Sequence, residues 1–192
     1  MFDAPPKGVE GALPGTVHAV TQARGVRGGS MNYRYTIPTL SELLAVAKSG
    51  EHGFMACAEH AHADGLKKLF VSRASRHTAA AGELCELLAQ LGADPAACGK
   101  IRGATRRGWV NLQTALTQNT DQALIDECEH GEDHALEVYR NALDDHLPEF
   151  VRQVILRQFE GMMSDHDQIR FLHTDQRQGG LMAASTGGDA RP

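Results

Sequence analysis

Aromatic side chains make up only 5% of this 192-residue sequence. No apolar run approaches the roughly 18 consecutive residues that a membrane-spanning helix needs. The N-terminus lacks a continuous apolar core of signal-peptide type. Charge of either sign is never blocked into runs, and the net charge is -5. This argues against a nucleic-acid or anionic-membrane surface, and a solvated helix face accounts for the pair Arg106-Arg107. The four cysteines, at positions 57, 85, 98 and 128, form no C-x-x-C and no zinc-finger spacing with histidine. They read as reduced thiols, three of them on or beside apolar helical positions where cysteine behaves as a small hydrophobe. A protein of the cytoplasm, with no membrane and no nucleic acid among its partners, is the expectation. No β-branched alternating run is long enough for a strand. Neither a phosphate-binding glycine loop nor a Ser/His/Asp or Cys/His motif in recognisable context occurs.

What the sequence does contain is 42% hydrophobic residues, enough to fill one sizeable core. Residues 1-36 are glycine-rich, include Pro5, Pro6 and Pro14, and show no sustained period, so they read as a flexible N-terminal extension. Met31, after Gly28-Gly29-Ser30, is a candidate native start that mass spectrometry of the N-terminus would test. Residues 176-192 read as a flexible C-terminal tail. Between them, residues 37-175 carry four long segments of helical spacing. The first opens at Pro38-Thr39 and stripes Leu40, Leu44, Ala47, Glu51, Phe54 and Ala58. The second starts at Asp64, read as its N-cap, and runs through Leu66, Phe70, Ala74, His77, Ala81, Leu84 and Leu88 to Gly92. After breakers at Pro95 and Gly99, a short amphipathic helix around Trp109 lies inside a crossover. The third long segment begins at Thr120-Asp121 and stripes Leu124, Cys128, Gly131, Glu132, Ala135 and Tyr139. The fourth follows Pro148 and stripes Val151, Ile155, Gln158, Met162, His166 and Ile169.

Two tight hairpins joined by a long crossover predict an all-α, ferritin-like four-helix bundle. The halves echo each other faintly in Gly50-Glu51 and Gly131-Glu132, which suggests an internal duplication.

Several ordered motifs then resemble a bacterial family of ferritin-like four-helix-bundle proteins of unknown function, over about 38 to 172. In the first hairpin they are Leu40-Ser41-Glu42-Leu43-Leu44, Gly50-Glu51-His52-Gly53-Phe54, Ala58-Glu59, Glu83-Leu84 and Leu91-Gly92. The crossover adds Arg107-Gly108-Trp109-Val110-Asn111-Leu112. The second hairpin contributes Glu127-Cys128-Glu129, Gly131-Glu132-Asp133, Leu147-Pro148 and His166-Asp167-Gln168-Ile169-Arg170. The resemblance implies the fold and a kinship with bundles that often carry metals, with no specific activity. At position 77 this chain has histidine where the family commonly has arginine.

Ferritin-like metal sites take a Glu from each of two helices and a Glu-x-x-His from each of the others. Here Glu51, His77, Glu132 and His166 each stand on an inward stripe, a candidate ligand set for iron or manganese. The residues three before the histidines are Ala74 and Met163, so the two further carboxylates of a di-iron centre are missing. Helix rise, about 1.5 Å per residue, puts Glu51 and His77 level but leaves His166 roughly 9 Å off the level of Glu132, to which Gln158 is closer. The leading expectation is a bundle that binds iron or manganese in oxidative-stress or metal handling, and the alternative is a metal-free bundle in which Glu51 and Glu132 are buried acids bonded to neighbouring Arg, His or Gln side chains. In the second, the bundle is a structural or partner-binding module, with the crossover near Trp109 as a contact face. Either is expected to form a homo-oligomer. The surface pair His130 and His134 reads as solvated helix polarity.

Overall fold

A computed structural model describes residues 33-94, 98 and 108-185, with the side chains of the last helix described through Phe171 and at Thr174. These residues belong to one unit, Asn32–Pro192. Met31, Pro95, Gly99, the Arg106-Arg107 pair and nearly all of the expected N-terminal extension lie outside them. The described residues form five helices and no strand. None of these helices is long and apolar enough to cross a membrane.

Helix α1, Thr36–His60, follows from apolar residues at three- and four-residue intervals, with Leu40, Leu43, Leu44, Ala47, Phe54, Cys57 and Ala58 all buried. Three residues later α2 begins and runs Asp64–Gln90. Its first residue is Asp64 itself, whereas the capping position is Ala63, which has no side chain to cap with. The acid at the start of the helix therefore acts through the helix dipole. Gly92, at φ 78°, ends α2 in a left-handed turn closed by Ala93 N to Leu88 O at 2.9 Å and Gly92 N to Ala89 O at 3.1 Å. That double bond pattern satisfies the carbonyls of the last turn, and glycine adopts the required φ without a Cβ clash.

The short α3, Leu112–Gln118, stops at Asn119 with φ 52°. Thr120 then caps α4, Asp121–Asp144, its hydroxyl accepting from Ala123 N at 3.2 Å. Pro148 opens α5, Glu149–Ser185, which carries helical backbone past the point near 176 where the sequence periodicity fades. Arg152 donates from its guanidinium to Leu143 O and Asp145 O, both at 2.6 Å, and so covers the carbonyl end of α4.

Helix α1 packs along α2 and α4 along α5, while α1 also meets α4 and α2 meets α5; α3 lies against α4 and α1. Asp121 ties the two pairs together, accepting the backbone N–H of His62 at 2.7 Å and of Ala63 at 3.0 Å. Burial alone would raise the Asp121 carboxyl; these two N–H groups and the His62 ring outweigh it and hold the carboxyl below its ordinary value.

Two apolar clusters result. One joins Phe54, Cys57, Phe70, Trp109, Leu124, Ile125, Cys128 and Ile169. The other joins Leu40, Leu44, Leu84, Leu88, Tyr139, Val151 and Ile155. Trp109 is buried, with its indole edge-on to Phe54 at 5.1 Å between ring centres, so this residue of the crossover is a core wedge. Gly53 and Gly131 form the slot for it: a Cβ on Gly53 would overlap the indole, and one on Gly131 would stand 2.6 Å from it. Neighbouring Val110, in contrast, is exposed.

The cysteines divide. Cys57 and Cys128 are free and fully buried, and burial first, then the neighbouring Cys57 thiol, pushes the Cys128 thiol well up. Cys85 and Cys98 are joined in a disulfide, which corrects the expectation of four reduced thiols. The correction removes one ground for a cytoplasmic location, because such bonds persist mainly in oxidising surroundings.

Candidate functional site

Between the two apolar clusters the inward stripes turn polar. The buried polar residues at this level include Ser49 on α1, Arg73 and His77 on α2, Glu132 on α4, and Gln158, Asp165 and His166 on α5. Each sits on its helix stripe at the spacing that brings apolar residues inward on either side, so the fold itself carries them into the interior.

Arg73 is the centre of this layer, with only 2% of its surface exposed. It pairs with the Asp165 carboxylate, donates to Gln168 Oε1 at 2.8 Å, and places Nε 4.0 Å from Glu132 Oε1. Arg76, largely exposed, closes on the same Asp165 carboxylate from outside. One buried acid thus holds two guanidinium groups, an arrangement that compensates the cost of removing Arg73 from water.

Glu132 is less well served. Burial raises its carboxyl to about 8 against the pull of Arg73, with the charges of Asp165, Asp133 and Glu129 adding to the rise. Its Oε2 has no hydrogen-bond partner among the described residues. His77 is stacked on Phe54 at 5.5 Å, and its ring presses on Gly50, where an added Cβ would stand 2.5 Å from Nδ1. Burial and then the Arg73 charge lower its pKa to about 4, so it is neutral at ordinary pH.

A second strand of the network runs along α5. Tyr139 Oη donates to Gln158 Oε1 at 2.9 Å, and Gln158 Nε2 donates to Glu83 Oε2 at 2.6 Å, while Arg157 pairs with Glu83 Oε1 at 2.7 Å. The bond from Gln158 leads the causes that hold the Glu83 carboxyl below its ordinary value. Full burial pushes the Tyr139 hydroxyl up, so it stays a donor. Beside these groups a cavity of about 190 Å³ opens between α2, α4 and α5, reaching both His77 and Glu132.

Of the four candidate ligands, the structure brings His77 and Glu132 to one cavity. Glu51 is half-buried on α1 and outside that lining, because α1 turns Gly50 and not Glu51 onto His77. His166 is buried but placed beyond the cavity, its Nε2 2.9 Å from Asp133 Oδ1 without the alignment of a hydrogen bond. No group of three or more His, Cys, Asp or Glu side chains among the described residues is arranged to hold a metal ion. His130 is exposed, its Nδ1 2.8 Å from Asp126 O, and His134 is half-buried against Gly108.

Gln158 stands with Glu132 around the cavity, as the helix-rise argument anticipates. The sequence reading passed over Arg73, Arg76 and Asp165. A signal existed for two of them: Arg73 falls four residues before His77 on the same inward stripe, and Asp165 falls three after Met162. Opposite charges on the buried faces of two helices are a pairing pattern.

A family model described as a domain of unknown function (DUF2383) matches residues 35–145. The chain belongs to this family. No curated protein matches it. The DUF2383 match covers α1 to α4 and ends at the turn before α5. Arg73, His77 and Glu132 therefore lie inside the matched span, whereas Gln158, Asp165 and His166 come from the helix beyond it.

Proposed function

We propose that this DUF2383 chain is a ferritin-like four-helix bundle that works as a metal-free binding module, with an arginine at the interior level where such bundles hold a metal. The observation that carries this is Arg73, a buried cation shared between Asp165 and, at 4.0 Å, Glu132. A guanidinium there supplies the positive charge that a metal ion would otherwise bring to inward-facing carboxylates.

The donor set supports the same reading. Asp165 is committed to two arginines, and Glu132 faces the Arg73 guanidinium at 4.0 Å. His166 lies against Asp133, and Glu51 stands apart from the cavity. Self-association belongs to the proposal as well. Leu156, Met163 and Phe171 are exposed along α5, the first two one heptad apart, a spacing suited to pairing with α5 of a second copy.

The deciding measurement is elemental analysis of protein produced in medium supplemented with iron and manganese and purified without chelator. Far less than one metal per chain is expected, with no difference between the wild type and Glu51→Ala or Glu132→Ala variants. Stoichiometric iron or manganese, lost in Glu132→Ala, overturns the reading. Sedimentation velocity tests the second part: a single monomeric species over a wide concentration range refutes self-association through α5.

A further inference from the structure

The cavity beside Glu132 has three properties that together select a ligand. Its volume of about 190 Å³ is that of a ring-sized molecule, since an apolar cavity of roughly 150 Å³ accepts benzene. Much of its wall is alkyl, from Ala80, Ala135 and Met162, and Gly161 contributes no side chain to it. The Glu132 side chain is only 5% exposed, and its Oε2 is unpartnered among the described residues. A buried polar atom left without a bond costs stability until something supplies the bond.

Charge narrows the choice. Arg76 and Arg157 also border the cavity, but each is already held by a carboxylate, Asp165 and Glu83 respectively. A charged ligand would have to compete with these pairs and lose its own hydration. An uncharged ligand faces neither cost. We infer that this cavity is a binding site for a small uncharged molecule with a compact apolar body and one amide-like head, the head bonded to the Glu132 carboxyl, which turns to meet it, and the body against Ala135 and Met162. A neutral Glu132 carboxyl, which its burial favours, can donate to a carbonyl as well as accept from an N–H.

Benzamide is the probe, followed by chemical-shift titration of the isotope-labelled full chain. Saturable shifts are expected at the backbone amides of Ala80, Ala135 and Gly161. Toluene, which lacks the head, and benzoate, which carries a charge, are each expected to bind at least about tenfold more weakly. Gly161→Leu is the plugging variant. Gly161 lines the cavity and a Cβ there meets nothing within 4 Å, so leucine is introduced without a clash at Cβ and is expected to fill part of the space. Gly82→Leu, equally unobstructed on α2 but away from the cavity, is the control. Benzamide affinity should fall about tenfold or more in the first and stay at the wild-type value in the second. The inference is overturned if benzamide gives no saturable shifts at these amides, if Gly161→Leu binds it as well as the wild type, or if toluene or benzoate binds equally well.

Discussion

The apolar ends of this molecule and its polar middle are built from the same four helices, yet they hold together by different physics. At the ends, leucines, phenylalanines and Trp109 are stabilised by leaving water, a contribution that adds up residue by residue and tolerates approximate fit. In the middle, Arg73, Asp165, Glu132 and Gln158 gain little over their hydrated states unless every partner is in place. The ends therefore supply most of the stability, while the middle fixes which helix faces meet and leaves a cavity with an unpartnered oxygen.

The sharpest test of the apolar side is Trp109→Ala. Removing the wedge from its glycine slot is expected to cost about 4 kcal/mol, read as a lower urea midpoint. Arg73→Met should come next, at about 3 kcal/mol, because the buried Asp165 carboxylate keeps only the outer Arg76 and Gln168 loses its donor. Replacing Arg73, Glu132 and Asp165 together with apolar residues should recover much of that loss. If the single change is neutral, the polar layer is not an ionic unit and the middle of the bundle is held by the same physics as its ends.

Glu132→Gln acts in the opposite direction. A carboxyl raised from 4.5 to about 8 favours the folded state only while protonated, so the wild type loses stability as pH rises through that interval. The variant should exceed the wild type by about 2 kcal/mol at pH 8, and the advantage should vanish below pH 4.5. His77 has the mirror-image effect. Lowered from 6.5 to about 4, it favours the fold while neutral, and its contribution is lost as pH falls through that window. From these two groups, thermal melts across pH should show a plateau between about 4.5 and 6.5 and a decline from 6.5 toward 8. His77→Leu should remove its half of that balance, so that stability declines steadily from about 4.5 toward 8 and the plateau is lost. The smallest expected effect is at the cap: Thr120→Ala should lower stability by about 1 kcal/mol, equally at every pH.

Most of the fold was legible because its signals are local. The leucine stripe of α1, the Gly92 stop, Thr120 ahead of Asp121 and Pro148 before the last helix each depend on neighbours within one or two turns. The site was legible in part. Glu132 and His77 stand out because polar groups interrupt apolar stripes, and helix rise sets Gln158, which is not in the expected ligand set, closer than His166 to the level of Glu132. Glu51 shows the limit of that approach. Gly50 and Glu51 differ by one position, about 100° of rotation, and the stripe alone favoured the acid. Packing of the His77 ring needed the residue with no side chain, which turned Glu51 aside.

Read alone, the residues establish a helical chain, the starts of its four long described helices and the ends of the first three, since these follow from a 3.6-residue period and from capping chemistry. Only the tertiary structure decided that Arg73 joins Asp165 and approaches Glu132, that Trp109 fills a slot between Gly53 and Gly131, and that Cys85 bonds Cys98. Each of these joins segments that lie apart along the chain. Their meeting depends on the rotation and axial offset of packed elements, which side-chain fit sets and no local period encodes.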